Sequence, residues 1–561
     1  MTSIRRRTLL ASAVAAPLAL ALPPFAIAAK RTKTAPTPPP PAPTPTRYDL
    51  ASPKGQEMLA IFASAVRAMQ ALGPENPMGW LWQWYTHFVN PTTTKANEIT
   101  RIFGASTSSL RTLADEMWNT CQSHAGQNPN HFLPWHRMFV FYFERICREV
   151  TGRADFTLPY WDYTSTDLAK RGVVPVEFRM PSDPVFGSLY RAERTALANS
   201  GQPIHMNQPT DVMNIDDIMR RAAYSSAGTV MGFCRAVDSG IHGRMHVLIG
   251  TSSGMGSVPW AARDPLFWVH HSNIDRMWAS WNSYGGSNPS GTTWEQNYFV
   301  FADAGGVRTR RMLSEFFATD GISYDTFVPR PAPLQTASLG ANASATNIAA
   351  GSVLAAAVSG AGKEGQEGQE GQEGPVNGKR RAVMLGSLFA GTAAAQGATA
   401  APREEVVARG RDAAKLGSAT GASVDLLPAA GTRATPVLGL DEAQPGKRTY
   451  LVLRDLHTWK QPEVLFHVYL RPGNGAGKLD QSTYVGNLNF FDAEFHDHGG
   501  GEKGDVLGSN FYSFDVTEIL REMRRSNARA AGSSLRVTIV PAGTPTAGSE
   551  PLVATIALVR Q

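Results

Sequence analysis

A chain of 561 residues has room for two to four domains and for a core large enough to bury a site. Its formal charge of +6 falls to +3 once Arg5, Arg6 and Arg7 leave with residues 1–28, too mild a balance for a nucleic-acid partner, and no basic stripe with interleaved aromatics appears. Three cysteines, Cys121, Cys147 and Cys234, cannot build a disulfide framework, so stability must come from the core and from what it holds.

The chain opens on three arginines, an Ala/Leu-rich run to Leu22 and the small-x-small triplet Ala26-Ile27-Ala28. The apolar run is about 15 residues, short of the roughly 18 that suggest a membrane span. Paired arginines ahead of it read as a twin-arginine export signal, the alternative being an ordinary secretory signal with a basic start. Either makes residues 1–28 a leader and the mature protein exported, with no membrane span. Residues 29–46 are a proline-rich spacer that cannot build a core.

A helical region, 47–334, follows. Leu59, Phe62, Val66 and Met69 recur at helical spacing across residues 56–72, and Gly73-Pro74 stops the run. The aromatic segment 80–88 carries His87, and residues 110–120 form a further helix leading to Cys121 and His124. The run from His131 through Phe132-Leu133-Pro134-Trp135-His136 continues as a helix over 139–148 with Val140 and Phe143 inward. Between Trp161 and Asn214, Pro, Asp and Gly predict loops wrapping the bundle, with His205 on the surface.

The stretch from Gly240 to Trp278 carries the chemistry. His242 and His246, four apart, lie on one face of a helix. Asp264-Pro265 is a helix start, and the helix that follows carries His270 and His271, roughly 100° apart, so that one of the two faces the first helix. The residue after His242 is Gly243, not the Glu of the zinc-protease motif. Three imidazoles without carboxylate or thiolate favour copper over magnesium, calcium or structural zinc.

Residues 335–402 form a linker dominated by Ala, Ser and Gly, with the Glu-Gly-Gln repeat of residues 364–374 and the basic cluster Lys379-Arg380-Arg381, a target for proteolysis. In 403–561 the apolar period shifts toward two. Segments 423–427, 449–453, 464–470, 511–516, 535–540 and 552–559 read as strands, suggesting a β-sandwich. His496-Asp497-His498 reads as a glycine-flanked turn or a metal-capture loop.

Two runs give the chain a family resemblance. Phe132-Leu133-Pro134-Trp135-His136-Arg137 with Glu144, and Asp264-Pro265-Leu266-Phe267-Trp268-Val269-His270-His271 with Asp275, separated by Leu158-Pro159-Tyr160-Trp161-Asp162, resemble the two copper signatures of the type 3 copper proteins: tyrosinases, catechol oxidases and molluscan-type haemocyanins. The resemblance implies a mainly α-helical domain whose central four-helix bundle holds two copper ions, each on three histidines. His242, His246 and His271 match the second site, and His136 and His87 the last and first ligands of the first. Its middle ligand is His124, three residues further from His136 than usual, with His131 as competitor. It further implies oxidation of phenols and catechols to ortho-quinones by O2, and a C-terminal domain covering the mouth. Asp238 stands where many relatives carry Glu, Gly243 where many tyrosinases carry Asn, and Val258 where plant enzymes hold an aromatic gate; the first two depart from the pattern for monophenol hydroxylation. Cys121 is either thioether-linked to the middle histidine or a free thiol. A catechol or ortho-aminophenol oxidase, and an oxygen carrier of the haemocyanin type, are the rival readings.

Overall fold

The computed structural model describes residues 45–88, 93–122, 128, 130–316, 322–332, 404–429, 447–473, 478–495, 510–526 and 534–561. The leader, nearly all of the spacer, the linker with its basic cluster, His124, and His496 and His498 lie outside these residues. A unit comprising residues 1–43 is likewise outside them, and Thr44–Gln561 forms the other unit.

Helix Pro53–Gln70 begins where Ser52 accepts a bond from the Gly55 amide, with proline at its first position, and it buries Met58, Leu59, Phe62, Val66 and Met69. That face packs on the central helix, Phe132–Thr151, which ends at Gly152 in the left-handed conformation (φ 66°). The second central helix, Pro265–Ser283, is capped by Asp264, whose carboxylate accepts from the Leu266 amide at 2.8 Å and from Arg194 at 2.8 and 2.6 Å. Every residue of it from Pro265 to Trp281 is buried, so this helix has no solvent face.

A buried charge network locks the two central helices together. Arg47 gives Nε and Nη2 to Glu144 at 2.9 and 3.0 Å and Nη1 to Asp275 at 2.9 Å. Asp275 also accepts from Arg137 Nε at 2.5 Å and from the Tyr324 hydroxyl at 2.6 Å. Burial alone would raise the Asp275 pKa, but the Arg137 and Arg47 guanidiniums outweigh it and hold the carboxyl below its usual range.

The helix bearing His242 and His246 is not regular. Residues Ala236–His242 make a wider, π-type turn with Gly240 outside helical geometry (φ −84°, ψ −108°), and an α-helix resumes over Gly243–Ile249. Such one-turn bulges re-aim side chains relative to an unbroken helix. A hairpin, Tyr298–Ala302 with Arg308–Met312, and a helix, Lys95–Phe103, complete regions the apolar pattern left unread.

The C-terminal region is sheet-rich. One antiparallel path runs through Tyr484–Leu488, Phe466–Pro472, Leu535–Pro541, Ala422–Pro428, Glu405–Gly410, Leu552–Arg560, Thr449–His457 and Phe511–Asp515. Its two end strands touch, so the facing layers belong to one sheet curled almost into a barrel around its own apolar core. Helix Thr517–Ser526 and strands Glu405–Gly410 and Tyr484–Leu488 went unread in the sequence, the helix because charged residues dominate it and the strands because they are short and lack clean alternation. Two side chains of this domain, Leu465 and Phe491, join the core of the helical domain instead of the sheet's.

Candidate metal centre

Four helical segments bring the histidines together. His87 ends helix Trp80–His87, His136 lies in the first turns of Phe132–Thr151, His242 and His246 flank the π-to-α junction, and His270 and His271 sit mid-helix in Pro265–Ser283. All six are at most 2 % exposed. The His87 and His136 ring centres are 5.9 Å apart, and His136 stacks on His271 at 4.1 Å. The two groups of imidazoles therefore adjoin across one interior space.

Backbone carbonyls orient three of the rings. His136 Nδ1 pairs with Phe132 O at 2.9 Å, His242 Nδ1 with Asp238 O at 3.2 Å, and His246 Nδ1 with Met255 O at 2.7 Å. A carbonyl can only accept, so each Nδ1 carries the proton and each Nε2 keeps a lone pair for a cation. Nε2 of His242 and Nε2 of His246 face each other at 3.0 Å, a repulsive meeting of lone pairs that a cation between or beside them would relieve. Ligand atoms of His242, His246, His270 and His271 all lie within 4.8 Å of one another. Burial pushes the His242 pKa down to about 3 and drives those of His136, His246, His270 and His271 well below normal, helped by their mutual repulsion. Neutral, dry imidazoles with converging nitrogens and no carboxylate suit copper.

One helical expectation needs correction. The 100° separation of His270 and His271 was to leave one facing the first helix, yet both converge: the His270 ring lies 5.5 Å from His242 and 5.1 Å from His246, and His271 5.1 and 6.1 Å. The bulge at Gly240 and the length of two imidazole arms let both reach the same space. His131 precedes the central helix at its N-cap, buried, with Phe299 at 5.6 Å. Cys121 donates Sγ–H to the His87 carbonyl at 3.0 Å, tying the loop to the helix end that carries that histidine.

The three other site positions are buried as well. Asp238 is wholly enclosed with an oxygen 3.4 Å from His242 Nδ1, and Val258 opens the short helix Val258–Ala261. Burial raises the Asp238 pKa against the pull of Arg235, and the neighbouring Asp492 carboxyl of the sheet domain is raised by burial and by Asp238. Gly243 leaves space that the Asn489 side chain fills: a Cβ there would meet Asn489 Oδ1 at 2.6 Å.

What covers the site comes from the sheet domain. Phe491 stacks flat on His246, ring centres 4.0 Å apart and planes at 9°, and meets His242 edge-on at 5.6 Å. Asn489 holds it, accepting from the Phe491 amide at 3.1 Å and donating Nδ2 to Ser239 O at 2.8 Å, where the Tyr512 hydroxyl also donates at 2.8 Å. Glu494 accepts from Ser257 at 3.1 Å and Gln461 at 2.9 Å. Nothing local in residues 487–494 marks them as site residues, because the pairing is made across the domain seam.

Comparison with known proteins gives this geometry a family. The sequence model for the common central domain of tyrosinase matches residues 78–210 and 187–284, and a domain of unknown function matches 403–561. A tyrosinase of Hahella sp. (strain CCB-MM4), HcTyr1, is 31 % identical over 292 residues, 48 % of this chain and 60 % of that one. The latent chloroplastic polyphenol oxidase of Prunus armeniaca is 29 % identical over 205 residues, 31 % of this chain and 33 % of the relative. The chain thus spans 60 % of the first relative's length and 33 % of the second's. Among solved structures, latent apple tyrosinase aligns over 93 % of this chain and 98 % of its own with TM-score 0.51 at 17 % identity, and a latent aurone synthase over 92 % and 90 % with TM-score 0.52 at 17 %, which speaks to fold. Residues 78–284 are thus similar to the common central domain of tyrosinase, the converging imidazoles fit a copper site of the type 3 kind, and a separate sheet-rich C-terminal domain follows.

Proposed function

We propose that the protein is an exported dicopper oxidase that uses O2 to oxidise phenols and catechols to ortho-quinones, held latent by its C-terminal domain. The observation that carries the reading is the convergence of His87 and His136 with His242, His246, His270 and His271 in one dry space. We assign the first copper to His87, His124 and His136 and the second to His242, His246 and His271, with His270 packed among the second set. The copper pair, when bound, supplies the redox chemistry: two catechols yield two quinones, and one O2 becomes two waters.

The chain's own residues do the rest. Backbone carbonyls fix the His136, His242 and His246 rings, and Phe132, Phe139 and Phe267 exclude water around them. A flat phenolic ring has one evident resting place, the face of His246 that Phe491 occupies, so Phe491 acts as a stand-in for substrate and must leave first. Opening follows cleavage in the linker or loosening of the seam. The catechol-only alternative is favoured by Gly243, which offers no side chain to hold a water near the second site. No helix among the described residues is long and apolar enough to cross a membrane; export through the twin-arginine route is supported by the paired arginines and apolar run of residues 1–28.

Oxygen uptake with tyrosine and with a catechol, before and after limited proteolysis of the linker, tests the reading together with copper analysis. Two coppers per chain and catechol turnover that rises on cleavage are expected. One copper, or reversible oxygen binding without turnover, would reject it, the latter in favour of a carrier.

A further inference from the structure

On the far side of the His242–His246 segment from the imidazoles lies a cavity of about 330 Å³, walled by both domains. The helical domain supplies Ile218, Arg221 and Arg244, and the sheet domain Tyr484, Asn487 and Phe514. Arg244 is 7 % exposed, yet among the described residues its guanidinium makes no hydrogen bond and no ion pair, and its Nε is buried without a partner. A guanidinium stays charged at any working pH, so this is a largely buried cation without a direct partner, answered by Asp211 through space alone.

The carboxylates that line the same cavity are already engaged. Asp217 is held by Arg221 at 2.5 Å, Asp211 by Arg171 at 2.9 and 2.7 Å, and Asp515 by Arg448. Besides Asp211, the groups that act on Arg244 are the phenols Tyr484, Tyr512 and Tyr163. Further donors point the same way. Arg221 Nε is buried without a partner, and the Tyr484 oxygen accepts from Asn487 Nδ2 at 3.2 Å, which leaves its own proton to give. Donors without acceptors, one of them a planar fork, describe a site for an oxyanion.

We propose that this interdomain cavity is a binding site for a small oxyanion, a carboxylate or phosphate held by Arg244 with the Tyr484 hydroxyl and Arg221. The volume exceeds one phosphate, and Ile218, Met231 and Phe514 offer an apolar wall, so a small organic carboxylate fills it better. Because the walls come from both domains, the anion binds the closed form and holds the seam shut by mass action.

Isothermal titration of the full, copper-loaded chain tests this with three probes: cyclohexanecarboxylate, its uncharged amide, and inorganic phosphate. A single site for the carboxylate is expected, with Kd on the order of 1 mM, no heat from the amide, and at least tenfold weaker binding in Arg244→Gln at equal copper content. Phosphate binding equally well, and lost in the same variant, would support the site and assign it to inorganic anions. Should Arg244→Gln not fold, Tyr484→Phe carries the test from the sheet domain, with a severalfold loss expected. No saturable binding in the wild-type chain, or affinity unchanged in both variants, overturns the proposal. The readout is heat, so it stands or falls apart from any phenol oxidation.

Discussion

At Gly243 the absence of a side chain is itself the device. The Asn489 amide sits where a Cβ would be, 2.6 Å from that position, and it in turn holds the Phe491 backbone. Asn489 is buried and bonded on both of its polar atoms, so it cannot step aside cheaply. Gly243→Ala is therefore expected to unseat the plug without cleavage, raising catechol turnover of the intact chain at least severalfold while the cleaved enzyme changes little. Phe491→Ala should act in the same direction and further, since it removes a buried ring that stacks on His246; truncations of this kind cost about 3–5 kcal/mol of packing. Turnover of intact and cleaved protein, measured side by side for both variants, decides it. Latency unchanged in both would show that the ring does not block the substrate. His270 and His271 differ in surroundings: His271 stacks on His136, whereas His270 lies between His242, His246 and Tyr163. Removing His271 is expected to lose one copper and oxygen consumption, and removing His270 to weaken copper retention with less loss of rate, both read by metal analysis.

At the scale of elements, the two central helices are clamped by charge as well as by apolar packing. Arg47 reaches in from the two-residue strand Thr46–Arg47, which pairs with Ser323–Tyr324, and serves a carboxylate on each helix. Arg47→Met would strand part of that negative charge in a dry interior, and a loss of about 3–5 kcal/mol is expected, read as a fall in Tm and looser copper retention. Asp275 has its pKa depressed in the fold, so its contribution is full above about pH 4, the unfolded value, and drains as pH falls through the folded value. Asp275→Asn should therefore flatten the acid limb of the stability profile as well as lower its plateau. The helices were legible in advance because Leu59, Phe62, Val66 and Met69 recur at helical spacing, Val140 and Phe143 mark an inward face, and Asp264-Pro265 is a helix start. The bulge at Gly240 was not. Its geometry is set by what the Ala236–His242 turn must pack against, and a glycine between Ser239 and Ile241 leaves helix and bulge equally open.

Across the whole molecule, the seam between the domains decides whether the site is open. Burial raises the Glu494 pKa, against the bonds from Gln461 and Ser257 that favour its charged form. A carboxyl raised on docking stabilises the closed form fully below its free value, about pH 4. That contribution is lost as pH rises through the docked value. Turnover of the uncut protein relative to the cut protein should accordingly climb with pH, and Glu494→Gln should flatten the climb; a ratio independent of pH in the wild type would remove Glu494 from the latch. Removing copper with a chelator is expected to lower Tm, because the facing nitrogens of His242 and His246 then lose the cation that reconciles them.

From the chain alone one could read the resemblance to type 3 copper proteins, a mainly helical domain, a sheet-rich region after it, and which histidines to suspect, since each of these rests on local periodicity or on short runs of neighbouring residues. Only the tertiary structure decided that both His270 and His271 reach the same space, that Phe491 lies on His246, that Asn489 fills the gap beside Gly243, and that Arg244 lines an interdomain cavity without a direct ion-pair partner among the described residues. These are contacts between segments far apart in sequence, made by shape and burial when two independently patterned domains close on each other, and no local pattern encodes them.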